Sequence, residues 1–184
     1  RYIQKVTLYI IILRISMDLN HALFLDRDGT IIKDCEGALT EGSIQFIYGL
    51  KDFLLAALEK KYKIIMVTNQ TAVSKGLISY LDMVEINNLL LKKIDNLIGV
   101  RKVFDEVFIC PYHPDAQIKK YKIDSEDRKP KAGMLIKAQK KMHLNLSKCI
   151  MVGDRVSDVV AGNIAASVLF GVAGALAFGG LFMS

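Results

Sequence analysis

The chain has 184 residues, 52% of them hydrophobic and 24% charged, with 25 basic residues against 19 acidic for a net charge of +6. That length and balance describe one globular domain able to bury its own core, and exclude a disordered or collagen-like chain. Three cysteines (Cys35, Cys110 and Cys149), odd in number and thinly spread, exclude a secreted disulfide scaffold and point to a reducing compartment. The basic balance is compatible with nucleic acid, acidic lipid or small phosphates, and does not choose among them.

Residues 1–16 precede Met17, which would begin a complete domain running to residue 184. Their apolar run, Val6 to Leu13, is too short to span a membrane and carries no small-residue cleavage site. Ala22 to Leu25 is a short apolar run ended by a charged turn. Ile44 to Lys60 carries apolar residues at helical spacing (Phe46, Leu50, Phe53, Leu54, Ala57, Leu58). Lys63 to Val67 is a continuous apolar strand. Ser79 to Ile98 predicts a long helix with Ser79 as its N-cap and Asp82 three residues later. Phe104 to Cys110 predicts a strand, Lys131 to Met142 a basic helix, Cys149 to Val152 a strand, Val156 to Ala166 a helix, and Ser167 to Val172 a last strand. No charge follows Asp158, so the tail is uncharged, rich in Gly and Ala, and open to two readings: strand packing, or an apolar surface for a partner or membrane.

Apolar strands alternating with helices imply a parallel sheet covered on both faces, a three-layer α/β/α sandwich. Ligands of such sheets bind beyond the carboxyl ends of the strands. The residues placed there carry chemistry. After the first strand, Asp26 and Asp28 flank Arg27, and Gly29 permits a sharp turn. One carboxylate suits a metal-bound nucleophile and the other a general acid/base, against the reading of a solvated Asp-Gly turn. After the second come Thr68, Asn69, Gln70 and Thr71, hydroxyls and amides that suit phosphate oxygens or helix capping. After the third, Cys110-Pro111-Tyr112-His113-Pro114 opens a polar loop that ends in Arg128-Lys129-Pro130. Pro130 disfavours helical geometry at Lys129, which can then project to neutralise a phosphoryl group, or belong to a solvated basic loop. After the fourth, Asp154 follows Gly153, with Arg155 and Asp158 beyond. Asp26, the carbonyl of Asp28, and Asp154 could together hold one Mg²⁺, a cation that takes oxygen ligands.

The order LDRDGT, VTNQ, RKP and VGDRxSD closely resembles the haloacid dehalogenase-like phosphatases, over roughly Ala22 to Ala166. FLDRDGTI, TNQ, CPxHP and RKPKxGM are most similar to the branch of histidinol phosphatases and heptose-bisphosphate phosphatases, and SIQFIYG (Ser43 to Gly49) looks more like the heptose enzyme. The resemblance implies a Rossmann-like, HAD-like sandwich. It implies Asp26 as nucleophile through an aspartyl phosphate and Asp28 as acid and then base. Thr68 and Asn69 would orient the transferring group, with Gln70, Thr71 and the retained Asp34 as further substrate contacts. Lys129 and Mg²⁺ would balance charge, Asp154, supported by Asp158, would hold the metal, and Arg128 and Arg155 would contact substrate. The stretches from Asp26 to Thr68 and from Thr68 to Lys129 hold no separate cap domain, so loops 31–42, 71–76 and 111–129 would shape the site.

The chain departs from the branch at a structural zinc site. Cys110 is kept, but Tyr112 replaces a His, and Ser125 and Asp127 stand at the C-x-C positions. One of four ligands remains, or two to three if His113 and Asp127 substitute; four good ligands are usual, so Zn²⁺ is not expected. Cys35 and Gly37 also replace more informative polar residues, and no amphipathic helix is evident after the last strand. The expectation is a cytoplasmic, monomeric Mg²⁺-dependent phosphatase. Its substrate would be a small sugar phosphate, a heptose bisphosphate before histidinol phosphate. Neither nucleic acid nor membrane is an expected partner: a 3′-phosphatase would need a stacking groove, yet Trp is absent and aromatics are 8%. A non-catalytic or membrane-attached phosphate-binding protein is the contrasting class.

Overall fold

The computed structural model describes residues 20–34, 39–170 and 180–182, with 168–170 and 180–182 described by their backbone alone. The segment before residue 20, Cys35 and Gly37, and tail residues 171–179 and 183–184 lie outside the described residues. Expectations for the N-terminal extension and for most of the tail therefore fall outside it too.

Five parallel strands form one sheet in the order β3-β2-β1-β4-β5: β1 Ala22–Leu25, β2 Lys63–Asn69, β3 Glu106–Cys110, β4 Ile150–Gly153 and β5 Gly180–Phe182. Strand β1 is central, with Leu23 paired to Ile64 on one side and to Ile150 on the other. Side chains alternate across a strand, so each strand feeds two cores. Ala22 and Phe24 join Ile65, Val67 and Met151 on one face, covered by Met134, Leu135 and Ala138 of α4 (Gly133–Met142) and Ala161 and Ala165 of α5 (Val156–Phe170). Leu23 and Leu25 join Ile64, Met66 and Val152 on the other, covered by Leu50 and Leu54 of α1 (Leu50–Glu59) and Leu90, Ile94 and Ile98 of α3 (Tyr80–Ile98). A single turn, α2 (Thr71–Ser74), follows β2. The three-layer sandwich is thus present.

Ser79 caps α3 as its sequence predicts, its hydroxyl accepting from the Asp82 amide at 3.1 Å. Two expectations need correction. The helix expected from Ile44 begins only at Leu50: Phe46 bridges antiparallel to Ile32, and Gly49 adopts φ 80°, which breaks the helical path. The strand expected at Ser167 to Val172 is helical through Phe170, because α5 continues, and the fifth strand lies at Gly180–Phe182, paired with Met151 to Gly153. Among the described residues no helix is long and apolar enough to cross a membrane.

Candidate functional site

The carboxyl end of β1 sets the centre of the site. The Asp26 amide still donates to the Val152 carbonyl at 3.0 Å, so Asp26 is held by the sheet itself. The chain then turns back: the amides of Ile31 and Ile32 both donate to the Arg27 carbonyl, and Gly29 takes φ 77°. Asp26 is 7% exposed, and its Oδ1 lies 2.8 Å from Lys129 Nζ.

Lys129 does not project from a solvated loop. It is 3% exposed, and its ammonium is shared among Asp26, Asp158 Oδ1 (2.5 Å) and the Val67 carbonyl (3.0 Å). Its backbone is gripped by one side chain: Asn69 Nδ2 donates to the Lys129 carbonyl at 3.0 Å, and the Lys129 amide donates to Asn69 Oδ1 at 3.1 Å. Asn69 thus spends its amide on placing Lys129. Thr68, fully buried, accepts from Gln70 Nε2 at 2.7 Å, and the same nitrogen reaches Asp28 Oδ2 at 3.3 Å.

Asp154, at the end of β4, closes the set. Carboxylate oxygens of Asp26, Asp154 and Asp158 lie within 4.8 Å of one another. Asp158 also accepts from the Arg155 amide at 3.1 Å, at the first turn of α5. Burial pushes the carboxyls of Asp154 and Asp158 up, and the charge on Asp26 adds to both, while Lys129 opposes the rise at Asp158. Asp154 Oδ1 is buried with no hydrogen-bond partner. A cluster of oxygen donors carrying more negative charge than its lysine neutralises, with one buried oxygen left over, suits a hard divalent cation. The Asp28 carboxylate is outside this cluster. Arg27 holds it with Nε to Oδ1 at 2.9 Å and Nη2 to Oδ2 at 2.8 Å, and burial, opposed by Arg27, pushes its carboxyl up.

A cavity of about 350 Å³ opens over Asp28, lined by Arg27, Asp34, Asn69, Gln70, Thr71, Lys75, His113, Arg128 and Arg155 among others. Every substrate position expected from the sequence lines it except the buried Thr68 and Lys129. At its rim Arg155 Nη2 pairs with Asp34 Oδ2 at 2.7 Å, joining the loop after β1 to the start of α5. Arg128 Nη1 donates to the Tyr112 carbonyl at 3.2 Å. Lys75, which lies in no motif, and His113, part of CPxHP but assigned no substrate role, also face the cavity.

A family model of HAD-hydrolase-like proteins matches residues 126–173. A D-glycero-alpha-D-manno-heptose-1,7-bisphosphate 7-phosphatase of Burkholderia mallei is 36% identical over 146 residues, covering 79% of this chain and 76% of its own. The chain belongs to the haloacid dehalogenase-like phosphatases. It falls within their histidinol-phosphatase and heptose-bisphosphate phosphatase branch and is a phosphoric monoester hydrolase. The corresponding beta-named phosphatase of Haemophilus influenzae is 35% identical, covering 78% of this chain and 76% of its own. The structure of a D,D-heptose 1,7-bisphosphate phosphatase from B. bronchiseptica, complexed with magnesium and phosphate, shares the fold with TM-score 0.65 at 22% identity, covering 80% of this chain and 75% of that one.

The four positions at which the resemblance implies zinc ligands in the branch make the following contacts in this phosphatase. The Cys110 thiol, pushed up by burial, lies 3.9 Å from the Tyr112 carbonyl. Tyr112 packs its ring 6.1 Å from that of Tyr121, Ser125 Oγ accepts from the Asp127 amide, and Asp127 pairs with Lys137 at 2.5 Å. The loop between β3 and α4 is tied down by protein contacts: its Ala116 and Tyr121 pack with Val73 of α2 and Met83 of α3.

Gly29 marks how tightly the phosphatase site is built. A Cβ there would meet Asp154 Oδ2 at 2.1 Å, and φ 77° disfavours any side chain. Gly29→Ala is expected to displace Asp154 and to cost about 1–3 kcal/mol of stability, measured by urea unfolding. Unchanged stability would show that Asp154 has room to move.

Proposed function

We propose that this phosphatase is Mg²⁺-dependent and removes the 7-phosphate of D-glycero-D-manno-heptose 1,7-bisphosphate through an aspartyl-phosphate intermediate. The observation that carries the reaction is the pairing of two unlike carboxylates at the end of the central strand. Asp26 faces Lys129 and the acidic cluster, and Asp28 faces Arg27 and the cavity.

Asp26 is the nucleophile. One of its oxygens forms a bond to phosphorus as the bond from phosphorus to the sugar oxygen breaks. Asp28 donates the proton that makes that oxygen an alcohol. Asp28 then takes a proton from the water that attacks phosphorus, which frees phosphate and restores Asp26. Lys129 compensates charge on the phosphoryl oxygens from a position held by Asn69, and Thr68 and Gln70 orient the group. Asp26 and Asp154, with Asp158 beside them and the carbonyl of Asp28, would hold Mg²⁺, which when bound supplies further positive charge at the transferring group. Arg128, Arg155, Asp34 and Thr71 contact the sugar and its second phosphate. The names and extents of the relatives support the heptose substrate, and a cavity of this size suits a sugar bisphosphate. The same reading takes residues 17–184 as one catalytic domain of a cytoplasmic monomer.

The test is phosphate release from heptose bisphosphate, histidinol phosphate, other sugar phosphates and a 3′-phosphorylated oligonucleotide, with Mg²⁺ present or chelated. Release from heptose bisphosphate is expected to dominate and to stop on chelation. Mg²⁺ at a hundred times its Kd is expected to stabilise the fold by about 2.7 kcal/mol, a gain that Asp154→Asn removes. Release that survives chelation would refute the metal role. A preference for histidinol phosphate or the oligonucleotide would reassign the substrate, and no release from any compound would favour a binding protein.

A further inference from the structure

The buried residues of α3 are Met83, Asn87, Leu90, Ile94 and Ile98, and Asn87 alone among them is polar. A buried amide is costly unless it is hydrogen-bonded, so its partners explain its presence. Asn87, 2% exposed, accepts from Arg27 Nη1 at 3.0 Å through its Oδ1, and its Nδ2 lies 3.0 Å from Met83 Sδ. A guanidinium has no acceptor, so the amide oxygen must be the atom that faces it. The other edge of the same guanidinium holds both oxygens of Asp28. Arg27 is 3% exposed, and the remaining side-chain contact to Asp28, from Gln70, is longer at 3.3 Å.

We propose that Asn87 is a positioning residue for catalysis: it anchors Arg27 to α3, and Arg27 in turn sets where the Asp28 carboxylate stands. The inference rests on the reading of Asp28 as acid and base. A guanidinium fixed at one edge can turn little about its own axis, so the carboxylate on its other edge inherits the direction of the helix. Displacing a reacting group by about 1 Å can cost about 100-fold in rate.

Asn87→Asp tests this with little change in size. The new carboxylate competes with Asp28 for Arg27 while keeping Arg27 paired, so the melting temperature is expected to stay level or rise. The decisive reading compares two substrates: an alkyl phosphate from the panel that the wild-type chain turns over, and p-nitrophenyl phosphate, whose leaving group departs without a proton. For the alkyl phosphate kcat/KM is expected to fall about 10- to 100-fold, carried by kcat with KM little changed, and for p-nitrophenyl phosphate less than about threefold. Asn87→Leu, which removes the anchor itself without adding charge, is run in every case and read in the same way, and its result decides where the two variants differ. Equal losses on both substrates would mean a packing role only, and no loss in a folded variant would remove any role; either overturns the inference. Asp28→Asn run alongside separates the two levels. If it retains turnover of the alkyl phosphate, the acid/base reading fails and this inference with it. If it loses turnover while the Asn87 variants keep theirs, this inference alone fails.

Discussion

Asp26→Asn is expected to abolish phosphate release without harming the fold. The amide keeps the shape of the side chain but removes the attacking oxyanion, and loss of a nucleophile costs on the order of 10⁴- to 10⁶-fold in kcat. Stability should not fall with it. Asp26 shares one ammonium with Asp158 and sits against Asp154, and its charge helps to raise the carboxyls of both. Neutralising it relieves that repulsion and leaves Lys129 paired with Asp158. The metal-free variant should therefore melt at or above the temperature of the parent. Calorimetry and phosphate release on the same preparation check the pair of outcomes, and turnover within tenfold of the parent would refute Asp26 as nucleophile.

Lys129→Met is expected to remove activity and stability together. Its ammonium is the cation that Asp26, Asp158 and a main-chain carbonyl share, with Asp154 beside them. Removing one partner of a buried pair typically costs about 3–5 kcal/mol, because the remaining charge is left uncompensated. The sign of the pH dependence follows from the carboxyls. Asp154 and Asp158 are raised from an ordinary value of 3.8, mainly by burial, so the folded chain binds their protons more tightly than the unfolded chain does. The stability this linkage contributes is whole below 3.8 and is lost as pH rises through the folded values. Lys129 holds the Asp158 carboxyl down, so without it that value rises further. The deficit of Lys129→Met against the parent should thus be widest at neutral pH and narrow in mild acid. Urea unfolding across that range measures it, and a deficit independent of pH would show that lost packing, not lost charge, dominates.

Much of this arrangement is legible in the chain. Four short apolar runs mark strands β1 to β4, and the polar residues that follow them lie where a parallel sheet collects its ligands. What escapes the sequence is pairing over distance. Lys129 reads as a loop residue because its partners come from β1, β2 and α5, and nothing local announces its burial. The span from Ile44 matches helical spacing, yet Phe46 belongs to a bridge with Ile32, a choice made by tertiary contact. The run Ser167 to Phe170 is apolar and could serve helix or strand, while β5 lies in a glycine-rich stretch that resembles a turn. Asn87 left a usable sign, an amide breaking the apolar stripe of an otherwise regular helix; Arg27, inside a recognised motif, left none of its own.

The central place of β1 also governs when the site can come into being. Leu23 pairs with Ile150, and the Ala22 amide donates to Cys149 Sγ at 3.2 Å, a contact across 127 residues. Asp26 is synthesised before the strand β4 that flanks it, and before Lys129, Asp154 and Asp158. Closing loops of that length is slow, since their entropy is lost before any contact repays it. A nascent chain that ends short of β4 holds an unpaired edge at β1 and no assembled site, so chemistry and completed folding arrive together, and the growing polypeptide needs shielding of that edge until they do.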